Sequence, residues 1–243
     1  MATESVHAAG SGDDLKPAIR QRFVQVLIQL LIQSGALFLS AGTLRWWEGW
    51  VYIGISLLGA AIFAVFMLRL NPGAIAERGS AAKAGGWKQW DKIIGLVVTL
   101  IYFIGLLVVA GLDKRFGWTQ PLALATQLMA VVIYAAGSGL FGWSMVTNAF
   151  FSTAVRIQDD RGQTVCDKGP YRFVRHPGYV GFIIQTLAAP MMLDSLWALI
   201  PGVLSALLLV VRTALEDRTL QQELDGYIEY AGRVRYRLLP GVW

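Results

Sequence analysis

The chain of 243 residues has a single cysteine, Cys166, and two histidines, His7 and His176. One cysteine excludes an internal disulfide and argues against a cysteine-ligated metal cluster; two histidines argue equally against a histidine-rich metal centre, so no metal site is expected. Charge is scarce as well: 15% of residues are charged, where a soluble domain carries roughly a quarter. With 55% hydrophobic residues and a mean hydropathy of +0.51, much of the surface must face lipid. The length allows one or two domains, yet apolar segments run past residue 210 and leave little room for a soluble one. A cleavable leader is not evident either. Residues 1–22 are polar and lack a short apolar core with a small-residue cleavage site. They read as a flexible cytoplasmic tail, with the first apolar segment serving as an uncleaved targeting signal.

What is present in place of charge is a series of long uncharged runs. Crossing the hydrocarbon core takes about 20 apolar helical residues, and 23–44, 49–68, 93–112 and 120–147 each suffice. Two shorter runs, 178–193 and 195–211, are separated by Asp194 and suit a tilted helical hairpin, with Pro190 placed to kink its first arm. The expected fold is an all-α, polytopic integral membrane protein of about six transmembrane helices. It divides into a tail (1–22), a four-helix transmembrane region (23–147) and a C-terminal region (148–243). Alternating the runs from a cytoplasmic N-terminus places eighteen of the 21 basic residues inside; only Arg45, Lys114 and Arg115 fall outside. That asymmetry predicts both termini in the cytoplasm. Trp46, Trp47, Trp50 and Trp118 then lie at the outer ends of spans. The net charge of +5 follows from the same bias, so no nucleic-acid partner is expected. Residues 71–92, opening with Asn71-Pro72-Gly73, form a cytoplasmic loop, with an interfacial helix expected near Trp87 and Trp90 and an interruption at Gly85-Gly86. No internal repeat is visible, and the oligomeric state is left open.

A Gly-x-Gly-x-x-Gly pattern at Gly137, Gly139 and Gly142 lies inside an apolar run. A dinucleotide site needs a strand before it and an amphipathic helix after it, so close helix packing through small residues explains it better. The informative region begins at Asn148. Gly169-Pro170-Tyr171-Arg172-Phe173-Val174-Arg175-His176-Pro177-Gly178-Tyr179-Val180-Gly181 crowds polar, aromatic and turn-forming residues at the mouth of the hairpin. His176 precedes a proline and is biased toward extended backbone, which would leave backbone polar groups free for a ligand. Anchoring to lipid headgroups through arginine and tyrosine is the equal alternative. Farther on, Arg212 and Glu216 are four apart on an expected helix, hence on one face and able to pair. Charges at the mouth of a membrane cavity suggest function, while an ordinary interfacial salt bridge remains the simpler account of an isolated pair. Leu220, Leu224, Tyr227, Ile228 and Tyr230 recur at helical spacing and suggest an amphipathic helix folding back over the hairpin. The basic, aromatic tail from Arg233 to Trp243 is expected to return to the membrane surface.

Together, Gly-Pro-Tyr-Arg-x-x-Arg-His-Pro-x-Tyr-x-Gly, then Arg-x-x-x-Glu-Asp, the spaced tyrosines and Pro240 resemble the isoprenylcysteine carboxyl methyltransferase family and its phospholipid-methyltransferase relatives. The likeness covers Gly169 to Trp243 and extends more weakly back to Asn148. It implies a cytoplasmic pocket for S-adenosylmethionine formed by Arg175, His176, Pro177 and Tyr179, helped by Gly169, Pro170 and Tyr171. It further implies that Glu216, with Asp217, holds the cofactor or lines the reaction centre, and that Arg212 orients the acceptor. Asn148 and Tyr230 fall on the substrate side. Asp217 stands where the family usually has a second glutamate. The implied activity is methyl transfer to a lipophilic acceptor such as the carboxylate of a prenylated cysteine; a carboxylate needs no general base, whereas an amine or thiol would make Glu216 or Tyr230 the candidate base. The competing readings are a nicotinamide-dependent membrane reductase resembling sterol reductases, and a non-enzymatic scaffold or transporter. Uncharged spans argue against the last, because translocation paths place polar groups near mid-membrane.

Overall fold

The computed structural model describes residues 12–70 (side chains from Lys16 onward), 73, 75, 78 and 86–243. His7, the Asn71-Pro72 opening of the expected cytoplasmic loop and Gly85 lie outside the described residues. All regular elements among the described residues are helices. They are α1 (Gly12–Ala41), α2 (Trp47–Leu70), α3 (Gln89–Phe116), α4 (Leu124–Thr147), α5 (Pro177–Met192), α6 (Leu199–Glu223) and the short α7 (Tyr227–Arg233). Five of these, α1 from Lys16, α2, α3, α4 and α6, are long and apolar enough to cross a membrane, as befits an integral membrane protein. Their outer faces leave large apolar side chains uncovered, with Leu31 72% and Leu39 80% exposed.

Two sequence expectations need correction here. Helix α1 begins at Gly12, so the part of the polar segment before residue 23 that is described is helical, not an irregular tail. Ala18, Ile19, Arg20, Gln21 and Arg22 are adequate helix formers, and extending an existing helix costs far less than nucleating one. The second correction concerns the span count. Helix α5 has 16 residues, about 24 Å of helix, short of the roughly 30 Å hydrocarbon core. Pro177 at its first position starts it, and Asp194, at φ 57°, turns the chain just past its end.

Short as it is, α5 runs antiparallel to α4 and is tied at both ends. Its far end is fixed by hydrogen bonds from Leu122 N to Asp194 Oδ1 (2.7 Å), Ser195 Oγ to Asp113 Oδ2 (2.6 Å) and Leu196 N to Thr119 Oγ1 (3.0 Å). Midway, the α4 and α5 backbones touch: a Cβ on Gly181 would lie 2.5 Å from Gly137 O, and one on Gly137 would lie 2.8 Å from Gly181 O. The first glycine of the Gly-x-Gly-x-x-Gly pattern is therefore a packing residue, as small residues are at membrane helix interfaces. Gly139 meets nothing nearby. The core joins Leu37, Trp46, Tyr52, Tyr102, Leu106, Tyr134, Ala189 and Met192 from α1 to α5. Tyr102 and Leu106 project from a π-helical stretch, Ile101–Leu106, inside α3. At one end of this bundle the start of α3, the end of α4, the start of α5, the end of α6 and all of α7 converge.

Candidate active site

The chain leaves α4 at Asn148, whose side chain turns back on itself, Oδ1 accepting from Phe150 N at 2.9 Å. It returns through a 3-10 turn, Gly169–Arg172. Gly169 has φ 53°, and a Cβ there would sit 2.9 Å from Thr147 Oγ1 and 3.2 Å from Trp143 Nε1, so only glycine fits. The turn buries Pro170 and Tyr171. Tyr171 OH donates to Ser144 O at 3.4 Å, Asn148 Nδ2 approaches the same hydroxyl at 3.5 Å, and Tyr230 OH donates to Tyr171 O at 2.7 Å. Asn148, Tyr171 and Tyr230 thus meet, bonding to one another and to the α4 terminus. Burial pushes the Tyr171 and Tyr230 hydroxyls well above their ordinary range. Both hydroxyls act as donors here, Tyr171 to Ser144 O and Tyr230 to Tyr171 O.

The His-Pro turn holds His176 at φ −127° and ψ 58°, outside the helical region as the following proline requires but short of the extended backbone expected. Its backbone groups, expected to be free, are taken by the C-terminal segment: Arg175 N donates to Tyr236 O (2.9 Å) and His176 N to Arg237 O (3.0 Å). The side chains of the turn converge on Asp217, which has no exposed surface. Arg175 grips it with both arms, Nε to Oδ1 at 2.7 Å and Nη2 to Oδ2 at 3.0 Å. Tyr227 OH (3.0 Å), Gln221 Nε2 (2.7 Å) and Arg237 Nε (2.8 Å) also donate to it, and His176 Nε2 lies 3.2 Å from Oδ1. Arg175 Nη1 reaches on to the carbonyls of Val234 and Arg235, each at 2.8 Å. Burial opposes the Arg175 charge, but Asp217 overrides it and holds the guanidinium above its usual range. Burial first, then the Asp217 charge, raises the Tyr227 hydroxyl in turn. Five side chains from four segments saturate this one carboxylate. It fastens α5, α6, α7 and the tail together.

Glu216 is one residue away on α6 and faces differently. Successive helical residues are about 100° apart, so Glu216 turns toward α5, where Tyr179 OH donates to its Oε2 at 2.5 Å. The Tyr179 ring is 5.9 Å from that of His176, which brings the saturated hub next to the Glu216 side. On the other side of Tyr179, the Arg212 guanidinium lies 5.5 Å from the ring centroid. Arg212 pairs not with Glu216, as the i, i+4 spacing suggested, but with Asp91 at the start of α3: Nε to Oδ1 at 2.7 Å and Nη2 to Oδ2 at 3.2 Å. Its Nη2 also donates to Thr153 O at 2.9 Å. The helix spacing allowed either partner, and the buried carboxylate across the interface won. At this end Lys88 and Glu223 form a second, exposed link between α3 and α6, 2.6 Å apart. An open cavity of about 510 Å³ adjoins the site, lined by Asp167, Lys168, Gly169, Arg172, Tyr230, Arg233 and Val234. Of the expected residues only Gly169 and Tyr230 line it; Arg212 and Glu216 do not.

Residues 127–222 match the model of the isoprenylcysteine carboxyl methyltransferase (ICMT) family. The resemblance read from the motifs is thereby borne out over α4, the Asn148–His176 loop, α5 and nearly all of α6. Its extent differs from the one expected: the match starts earlier, inside α4, and stops before Tyr227, Tyr230 and Pro240. In addition, the chain is 23% identical over 175 residues to "Uncharacterized protein YpbQ" of Bacillus subtilis (strain 168), across 71% of this chain and 96% of that protein. The ICMT match points to a membrane methyltransferase.

Asp91, Tyr227, Gln221 and Arg237 were missed as site residues by sequence reasoning. Tyr227 was read only as part of an amphipathic stripe, and Arg237 as part of a basic tail. Asp91 carried a signal, an acidic residue at the mouth of a long uncharged run, where an ion pair is the rule. Its partner lies 121 positions away, beyond the reach of any spacing argument.

Proposed function

We propose that this protein transfers the methyl group of S-adenosylmethionine to a lipophilic acceptor at the cytoplasmic face of a membrane, the acceptor atom being the carboxylate of a prenylated cysteine or a similar isoprenoid or lipid group. The observation that carries the reading is the Arg212–Tyr179–Glu216 row within the ICMT-matched stretch: a cation and a carboxylate flank one aromatic ring at the end of the bundle where the basic loops gather. That clustering of basic residues supports a cytoplasmic orientation of this end and of both termini.

The donor set suits such a cofactor. Its amino-acid end carries both charges, and the neighbouring cavity offers Lys168, Arg172 and Arg233 beside Asp167. Its cationic sulfonium is matched by the Glu216 carboxylate and by the Tyr179 face. When bound, S-adenosylmethionine supplies an electrophilic methyl group for in-line displacement. The protein's own contribution is positioning, which can supply several kcal/mol of the barrier. Tyr179 fixes one oxygen of Glu216 by hydrogen bond, leaving Oε1 to face the reacting groups. Arg212 commits Nε and Nη2 to Asp91 and Thr153 and retains Nη1 for the acceptor, a charge-assisted contact when the acceptor is an acid. A thiol or amine acceptor, the alternative within this chemistry, would give its proton to Glu216. Asp217 and Arg175 hold the walls of the site, while His176 engages Asp217 and Tyr227 through Nε2 alone.

The test is methyl transfer by the purified full-length chain from labelled S-adenosylmethionine into a fractionated membrane lipid extract. Label is expected in one lipophilic fraction, and S-adenosylmethionine, not NADPH, is expected to raise the melting temperature by mass action. Stabilisation by NADPH alone, without transfer, would replace this reading with the reductase one.

A further inference from the structure

We infer that Asp91 is the positioning residue of the methyl-transfer site, holding the Arg212 guanidinium in the orientation that presents Nη1 to the acceptor. The inference rests on the methyl-transfer reading and adds to the site a residue outside the stretch that resembles the family. Asp91 is 2% exposed and lies in the first turn of α3. Both oxygens of its carboxylate are engaged: Oδ1 takes Arg212 Nε at 2.7 Å, while Oδ2 takes Arg212 Nη2 at 3.2 Å and Val155 N at 2.8 Å. Two parallel bonds on a planar guanidinium fix its plane as well as its place, which a single contact cannot do. The second hydrogen of Nη2 goes to Thr153 O, so rotation about the side chain's last bonds is blocked from two directions. The plane so fixed lies over Tyr179, whose hydroxyl orients Glu216. Asp91, Arg212, Tyr179 and Glu216 therefore form one chain of contacts, anchored on α3 and read out on α5 and α6. Asp91 also ties the Thr153–Val155 strand of loop to α3, so a purely structural role is the rival account, and the test must separate the two.

The experiment compares wild type, Asp91→Asn, Arg212→Gln and the double variant, all full-length in lipid nanodiscs, with labelled S-adenosylmethionine and the membrane lipid extract as acceptor pool. If Asp91 acts through Arg212, Asp91→Asn lowers the rate at saturating donor about 100-fold, the loss that a misplacement of about 1 Å can produce. The donor KM stays within about twofold, since Asp91 does not reach the donor, and the double variant is no slower than Arg212→Gln alone. Losses that multiply in the double variant, a wild-type rate in Asp91→Asn, or a rising donor KM in step with a falling melting temperature would each overturn it. Should Asp91→Asn fail to accumulate, Asp91→Glu serves, keeping the charge but moving it by one methylene. It is expected to melt near wild type and to lose at least about tenfold in rate by the same displacement argument; a wild-type rate overturns the proposal. Absence of label from the wild-type protein would sink the methyl-transfer reading and Asp91's role with it, whereas label from wild type combined with any of the overturning results sinks Asp91's role alone.

Discussion

Glu216 and Asp217 are adjacent residues with the same charge, yet the fold gives them opposite circumstances. Asp217 has no exposed surface and accepts hydrogen bonds from four side chains, with the His176 ring beside it. Glu216 is half-buried and has one side-chain donor, the Tyr179 hydroxyl. A carboxylate whose lone pairs are all occupied can hold a structure together but has nothing left for a ligand. One that is half-occupied is oriented and still available. The comparison teaches that an acidic dyad in a motif need not act as a dyad: one member is saturated by the fold and the other keeps a single side-chain donor.

The largest effect that would sharpen this division is expected from Asp217→Asn. It leaves Arg175, itself buried, and Arg237 without their counter-ion, and breaking a buried pair from one side costs about 3–5 kcal/mol. The melting temperature of the solubilised protein should fall steeply and the C-terminal segment should become protease-sensitive. A variant that melts like wild type but cannot bind donor would return Asp217 to the site. Glu216→Gln should behave oppositely, with a melting point close to wild type and a transfer rate lower by roughly 100-fold, the usual scale for losing a positioned acid or base. Equal transfer by the two proteins would break the comparison outright. Arg212→Ala is the less informative variant, because it strands Asp91 buried and unpaired and mixes stability with activity.

A smaller effect is expected from Tyr230→Phe. It removes one hydrogen bond, to Tyr171 O, and should cost about 1 kcal/mol in unfolding experiments while leaving the pH–rate profile in place; disappearance of its basic limb would make Tyr230 a proton acceptor after all. The smallest belongs to Lys88→Ala. Lys88–Glu223 joins the same two helices as Asp91–Arg212, but its side chains are 31% and 41% exposed. Exposed pairs contribute about 0–1 kcal/mol, so its removal should hardly register in the melting temperature.

The His-Pro turn shows where motif reading stops. That His176 would stay out of the helical region was legible, because proline restricts the residue before it whatever the surroundings; that it would stop short of a fully extended backbone was not. That its amide groups would be consumed by Tyr236 and Arg237 was not, because the competitor is the chain's own tail some sixty positions later. Arg212 repeats the lesson: spacing placed it beside Glu216, and packing gave it Asp91. Helix α5 reverses it, since its uncharged run promised a span and its length falls short of one.

What the sequence determined by itself is the set of properties that follow from local composition: lipid-facing helices, the gathering of basic residues in alternate loops, and the motif order that resembles the ICMT family. These depend on residues near each other in the chain and on a solvent, the bilayer, that penalises every exposed backbone group. Only the tertiary structure decided which acid pairs with which arginine. An ion pair is chosen by distance, burial and competing donors in three dimensions, and the segments that meet at Asp91 and Asp217 are brought together by helix packing that no local spacing encodes.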